Sequence, residues 1–247
     1  MKLTLSIFVL SLSIAFGAIA QGNEAMIEQL GSSHGAIIGQ VGLQNSATSF
    51  QGGENNSFTL HQVGSHETTI EQAGADNTAT VQQWAGVQNS EPGVSAAFLE
   101  QTGTGNEISI SQYGEHVTDI EQSGSQNSID LTQAQSNSTV SSLGEEYGSG
   151  AFALLMQHGF SNDIVLAQNG SHYAEITQNG SQNTANVMQD GLDLSHLARI
   201  EQDGSGNDAT IEQYGSQSSA VIRQHGNGHS AHIQQAGYGN QTTVIQN

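Results

Sequence analysis

"QDGSGNDATIEQYGSQSSAVIRQHGNGHSAHIQQAGYGNQTTVIQN", residues 202–247, returns a glutamine at every eleventh position: Gln202, Gln213, Gln224, Gln235 and Gln246. Two residues before the last four stand Ile211, Ile222, Ile233 and Val244, and four before stand Ala209, Ala220, Ala231 and Thr242. A spacing of two is the strand period, so glutamine, aliphatic and small residue share one face. Glycine follows two residues later, at Gly204, Gly215, Gly226 and Gly237, where it supplies the positive φ that a tight reversal needs. Each unit therefore reads as a strand of about seven residues and a turn of about four, too small to bury its own apolar face, so neighbouring units must stack.

Followed back, the same position holds Gln29, Gln40, Gln51, Gln62, Gln72, Gln83, Gln101, Gln112, Gln122, Gln133, Gln157, Gln168, Gln178 and Gln189, which with the closing five makes nineteen units. Ser49 is the only residue two before a glutamine that is not aliphatic. Six before the glutamine, Asn occurs in ten units, His in six (His34, His66, His116, His172, His196, His229), Ser95 and Ser218 in two, and Ala151 in one. Turn glycines such as Gly31, Gly64, Gly124, Gly204 and Gly237 recur in sixteen of the eighteen units that continue, Ala85 and Gln135 being the exceptions.

The parity of the units sets the coil. Every interval ending on an even-numbered unit is eleven residues, whereas intervals ending on odd units run from ten (Gln62 to Gln72) to twenty-four (Gln133 to Gln157). Even units also keep Asn56, Asn77, Asn106, Asn127, Asn162, Asn183 and Asn207 in unbroken succession, between His34 and His229. Alternation by two specifies an all-β, flattened β-solenoid of cross-β type with two strands per coil and about nine and a half coils. At roughly 4.8 Å per coil it stands about 45 Å tall. Its interior is half polar, and each buried Asn or Gln amide finds its partner in the copy above or below, so these residues are the expected ladder.

Composition excludes whole classes of function. Of 247 residues only 11% are charged and 5% aromatic, with thirty glycines, one proline and no cysteine. The formal charge is −20 and the only bases are Lys2, Arg199 and Arg223, which leaves no patch to neutralise phosphates and no expected nucleic-acid partner. Residues 1–20 join Lys2 to an apolar run and the small-residue end Ala18-Ile19-Ala20, the pattern of a secretory signal cleaved after Ala20. Residues 21–247 are then a secreted, extracellular repeat body with no membrane span and with insertions at 84–100 and 134–156. The insertions fall on one edge and either are tolerated loops or supply a lateral contact through Trp84, Phe98 and Phe152.

No nucleophile elbow, phosphate loop or His-Glu-x-x-His motif occurs, and Glu71, Glu121 and Glu201 point away from the glutamine face. No enzyme, cofactor or metal site is expected. His172 and His196 should lie in adjacent coils about 4.8 Å apart. No carboxylate or thiolate completes a ligand set there, so they read as hydrogen-bonding core residues, and acid below about pH 6 should oppose stacking. The register runs from Asn23 to Gln246 with no atypical polar cap, so both end strands should be open edges on which another copy can add, giving a homopolymer. The competing expectation is a monomeric solenoid that displays its outer face to a ligand.

Units such as "QTGTGNEISISQ", "QDGSGNDATIEQ" and "QAGYGNQTTVIQ" resemble the curlin repeat of curli subunits, over nearly the whole of residues 21–247. The resemblance implies a functional amyloid subunit that leaves the cell through a dedicated outer-membrane secretion pore and polymerises on the surface into fibres for adhesion and biofilm matrix. It implies a partner subunit too, a nucleator if this chain is the major subunit or a major subunit if this chain nucleates. The repeats begin almost at once after Ala20, without the N-terminal segment that addresses the pore in major curlins.

Overall fold

The computed structural model describes residues 22–84, 94–134, 150–191 and 195–247; the expected signal, Ala20 and the central parts of both insertions lie outside them. The described residues form strands and turns with no helix. One sheet stacks β1 (Glu24–Ser32), β3 (Ser46–Glu54), the second part of β4 (Ser57–Ala75), β6 (Val94–Thr104), β8 (Val117–Ser125), β10 (Phe152–Phe160), β12 (Tyr173–Ser181), β14 (Leu197–Ser205), β16 (Ser219–Asn227) and β18 (Gln241–Gln246). The facing sheet stacks β2 (Gly35–Gly42), the first part of β4, β5 (Thr78–Trp84), β7 (Glu107–Tyr113), β9 (Ser128–Ala134), β11 (Asp163–Asn169), β13 (Thr184–Asp190), β15 (Asp208–Ser216) and β17 (Ser230–Tyr238). Each strand pairs with the one two units away, always in parallel, and glutamine lies on glutamine: Gln122 on Gln157, Gln168 on Gln189. This is the two-strand coil that the interval parity specifies.

β4 is nineteen residues long because it holds two units, those of Gln62 and Gln72, and passes from one sheet to the other without a break. The longer intervals are absorbed on the same edge. Trp84 closes β5 and residues 94–100 lie inside β6, so on the 84–100 stretch only 85–93 falls outside the described residues. Likewise Ala134 closes β9 and β10 begins at Phe152.

Between the sheets the aliphatic column (Leu60, Val81, Ile110, Leu131 and Leu166 in one sheet, Ile70, Leu99, Ile120, Leu155 and Ile176 in the other) is buried, with alanines beside it. Burial alternates along each strand, so Ile and Gln face in while the intervening Glu and Thr face out. Ser49 breaks the column: it sits between Ile27 and Ile70 in register, is buried, and its hydroxyl has no partner. Ser49→Val should restore the column and remove a buried unpaired hydroxyl. A gain of about 1–2 kcal/mol in urea unfolding is expected.

The turn has two special positions, and only one is evident from the repeat. Glycine two after glutamine has φ of +105° to +135° at Gly31, Gly64, Gly124, Gly204 and Gly237. Four after glutamine the chain enters the left-handed region again, at Asn55 (+55°), Asp76 (+58°), Gln126 (+57°) and Gln182 (+57°), and at Gly206 (+65°). Asn, Asp and Gly at that position are the available sequence signal, since they tolerate this conformation best.

Candidate functional site

Parallel in-register pairing places each glutamine under its copy, and the side chains bond along the stack. In the sheet of odd units the Nε2 donates to the next Oε1 from Gln29 to Gln51 (2.7 Å), then through Gln72, Gln101, Gln122, Gln157, Gln178, Gln202 and Gln224 to Gln246 (2.8 Å). In the other sheet the chain of bonds runs from Gln40 through Gln62, Gln83, Gln112, Gln133, Gln168, Gln189 and Gln213 to Gln235, at 2.8–3.0 Å. All these bonds point the same way, toward the C-terminal end.

The second amide hydrogen crosses the core. Gln122 donates to the Glu107 carbonyl (3.1 Å), Gln157 to Ser128 (3.0 Å) and Gln168 to Phe152 (3.3 Å), each at the start of a strand in the facing sheet. One side chain thus ties coil to coil and sheet to sheet, so its burial leaves no unmet donor.

The asparagines work differently from the simple amide stack expected of them. Asn127 accepts the backbone N–H of Asn162 at Oδ1 (3.0 Å), while its Nδ2 donates to the Ser123 carbonyl (2.9 Å) and the Gly159 carbonyl of the next coil (3.2 Å). Asn56, Asn77, Asn106, Asn162, Asn183 and Asn207 each likewise donate to the glycine carbonyl one coil on. Contacts between asparagine amides accompany this in part, as from Asn77 to Asn56 (3.1 Å) and from Asn162 to Asn127 (3.1 Å). Asparagine fastens turns because its short side chain reaches the nearby backbone as well as the asparagine amide of the neighbouring coil.

On the odd sheet histidine fills the asparagine position with the same bonding. His116 accepts the Ala151 N–H at Nδ1 (3.0 Å) and its Nε2 pairs with the Tyr113 carbonyl (2.9 Å). His172 and His196 stack with ring centroids 4.8 Å apart.

The outer faces carry what the repeat does not need. Trp84 stacks on Tyr113 (centroids 4.6 Å, 9° between planes) on the even sheet, while Phe152 stacks on Tyr173 (5.3 Å) and Phe98 is 38% exposed on the odd sheet. The three aromatic residues singled out as lateral anchors therefore occupy two faces. Near the C-terminal end side chains pair between coils: Arg199 with Glu175 (3.2 Å) and Arg223 with Glu201 (3.3 Å) as ion pairs, and His225 Nδ1 with Asp203 (3.0 Å). Among the described residues, Glu201, Asp203 and His225 bring possible metal-ligand atoms within 4.8 Å of one another, a grouping the sequence reading did not anticipate. Glu201 already lies 3.3 Å from Arg223 Nε, and Asp203 accepts from Asn179 Nδ2 and lies 3.0 Å from His225, so both carboxylates of the group have partners without an ion. Parallel register explains it: Asp203 lies beside His225, and Glu201 beside Arg223.

A parallel β-solenoid whose buried amides bond continuously along its axis is a structural repeat protein by class. The sequence model of the curlin associated repeat matches residues 194–215, which include β14 and most of β15 with Gln202, Asn207 and Gln213, and this supports a curlin-family assignment. No curated protein matches the chain.

Proposed function

We propose that this chain is a secreted structural subunit that self-assembles into extracellular, curli-like amyloid fibres serving adhesion and biofilm matrix. The observation that carries the reading is the continuity and single direction of the glutamine ladders. Among the described residues they leave the Oε1 of Gln29 and Gln40 without a donor at one end, while Gln235 and Gln246 at the other have no next glutamine. An incoming copy supplies donors to Gln29 and Gln40 at one end and an acceptor to Gln246 at the other, where Gln235 Nε2 already donates to the Ser219 carbonyl and Thr242 Oγ1, with backbone pairing along β1 and β2 or β17 and β18, which are paired on one side only. Among the described residues ten strands stand in one sheet and nine in the other, counting β4 in both, so continuing the coil lays β1 of the incoming copy on β17 and β2 on β18. Successive copies then differ by half a turn about the long axis.

Residues 1–20 act as the export signal in this reading, with cleavage after Ala20, and the partners are further copies, a curli-type second subunit and an outer-membrane pore. The ladder residues are the assembly residues, and the role is scaffolding without catalysis. Thioflavin fluorescence of residues 21–247 released from denaturant, with and without preformed seeds, tests it together with fibre diffraction. A lag abolished by seeds and a reflection near ~4.8 Å are expected. A stable monomer that ignores seeds would overturn it and favour the ligand-displaying solenoid. Acceleration of a second subunit at substoichiometric amounts would mark the chain as nucleator.

A further inference from the structure

We infer that one corner of the solenoid is an acid-sensitive fastener, in which His66, His116, His172 and His196 hold successive coils as neutral imidazoles that release the next coil on taking up a proton. The geometry fixes the charge state. Each Nδ1 accepts a backbone N–H from the next coil: Ser95 on His66 (3.1 Å), Ala151 on His116 (3.0 Å), His196 on His172 (3.2 Å) and Ser218 on His196 (3.2 Å). A nitrogen that accepts cannot carry hydrogen, so the proton of the neutral ring is on Nε2. That nitrogen faces a carbonyl three residues back at 2.9 Å in His66 (Val63), His116 (Tyr113) and His172 (Asn169). Protonation at Nδ1 replaces each inter-coil bond with two donors facing each other in a buried site.

The opposite corner has one such histidine bond, at its N-terminal end, where His34 Nδ1 accepts the Asn56 N–H (3.3 Å), and none from Asn56 to Asn207. Its equivalent positions from Asn56 to Asn207 make the same backbone bond through an amide oxygen, which does not titrate. Acid therefore loosens the edge that carries all the length variation and leaves the other closed from Asn56 to Asn207.

Few charges stand near enough to favour the imidazolium. Glu115 faces His116, and Asp190 faces His172 and His196, which also oppose each other's protonation. Burial outweighs them, holding His116 and His172 down to about 4 from the usual 6.5 and lowering His66 and His196 as well. An unfolded chain binds these protons near pH 6.5, whereas the stack resists those of His116 and His172 until about pH 4 and holds those of His66 and His196 off below the usual value. Stability is thus complete above the unfolded value, falls as pH drops through this window and levels off below it. For His116 and His172 the loss is on the order of 30-fold per site in the folding constant at pH 5.

The test is urea unfolding of residues 21–247 at pH 8, 6 and 5, beside a variant carrying His66→Asn, His116→Asn, His172→Asn and His196→Asn. Asparagine keeps the acceptor and loses the titration. A wild-type midpoint that falls with acid, against a variant midpoint that stays flat, is expected. An equal acid loss in the variant, or none in the wild type, would overturn the proposal. Should the variant not fold at pH 8, nitrogen NMR of the wild-type imidazoles at pH 6 decides: neutral rings protonated at Nε2 support the fastener, and imidazolium or Nδ1–H rings refute it.

Discussion

Gly159→Ala will break the stack between β10 and β12. An added Cβ would lie 1.9 Å from the Gly180 carbonyl oxygen and 2.9 Å from its carbon, both backbone atoms of the next coil, and the residue itself sits at φ +122°. Neither partner can turn away, since Gly180 is held by strand pairing on both sides and its carbonyl also receives Asn162 Nδ2 at 3.2 Å. A φ of +122° lies beyond the left-handed well open to other residues, so the backbone conformation alone costs at least about 1–2 kcal/mol for a non-glycine residue. Moving a coil adds the loss of its Gln157–Gln178 contact, so a total above about 4 kcal/mol is expected.

Gly206→Ala is the control. Gly206 is also at positive φ, +65°, but nothing lies within 4 Å of its missing Cβ. It should lose only about 1 kcal/mol. Urea unfolding followed by circular dichroism, with hydrogen exchange to locate the opening, compares the two. Equal losses would mean that backbone preference, and not coil spacing, is what the turn glycine protects. Because stability in a repeat stack is built from nearest-neighbour interfaces, exchange in Gly159→Ala should rise most in β10 and β12 and least in β2 and β17.

Much of the fold is legible because its signals are one-dimensional. The two-residue spacing of Ala174, Ile176 and Gln178 sets the face, and the interval parity sets the coil, since in-register stacking turns sequence period directly into spatial neighbourhood. What remains hidden depends on side-chain reach or on one insertion's length. That Asn127 would bond the Gly159 carbonyl follows from how close a short amide stands to the turn, a distance no spacing encodes. The column of Glu201, Asp203 and His225 needs the register of β14 on β16 before its members meet. Conversely, the 4.8 Å separation of His172 and His196 was foreseeable, because a stacked pair can hardly be elsewhere than one coil apart. Trp84 and Phe152 flank the same edge, but which sheet each faces is set by its place before or after the turn.

Gln157→Leu should cost about 3–5 kcal/mol although leucine is the more apolar side chain. The substitution removes Oε1 from Gln122 Nε2 (2.8 Å), Nε2 from Gln178 Oε1 (2.8 Å) and Nε2 from the Ser128 carbonyl (3.0 Å). Gln122 and Gln178 are fully buried, so the donor and acceptors left behind are out of reach of water. Each such group costs about 1–3 kcal/mol, and the added apolar burial offsets only part of the sum. Gln82→Leu, on the outer face beside buried Gln83, should change stability by less than about 0.5 kcal/mol. A pair of ladder substitutions separates this account from simple overpacking. Gln122→Leu and Gln157→Leu share one bond, so the double variant should lose less than the two singles together, by about 1 kcal/mol in urea unfolding. Strict additivity would mean that the glutamines are independent polar residues that merely happen to be stacked, and the continuity of the ladder would then have no energetic content.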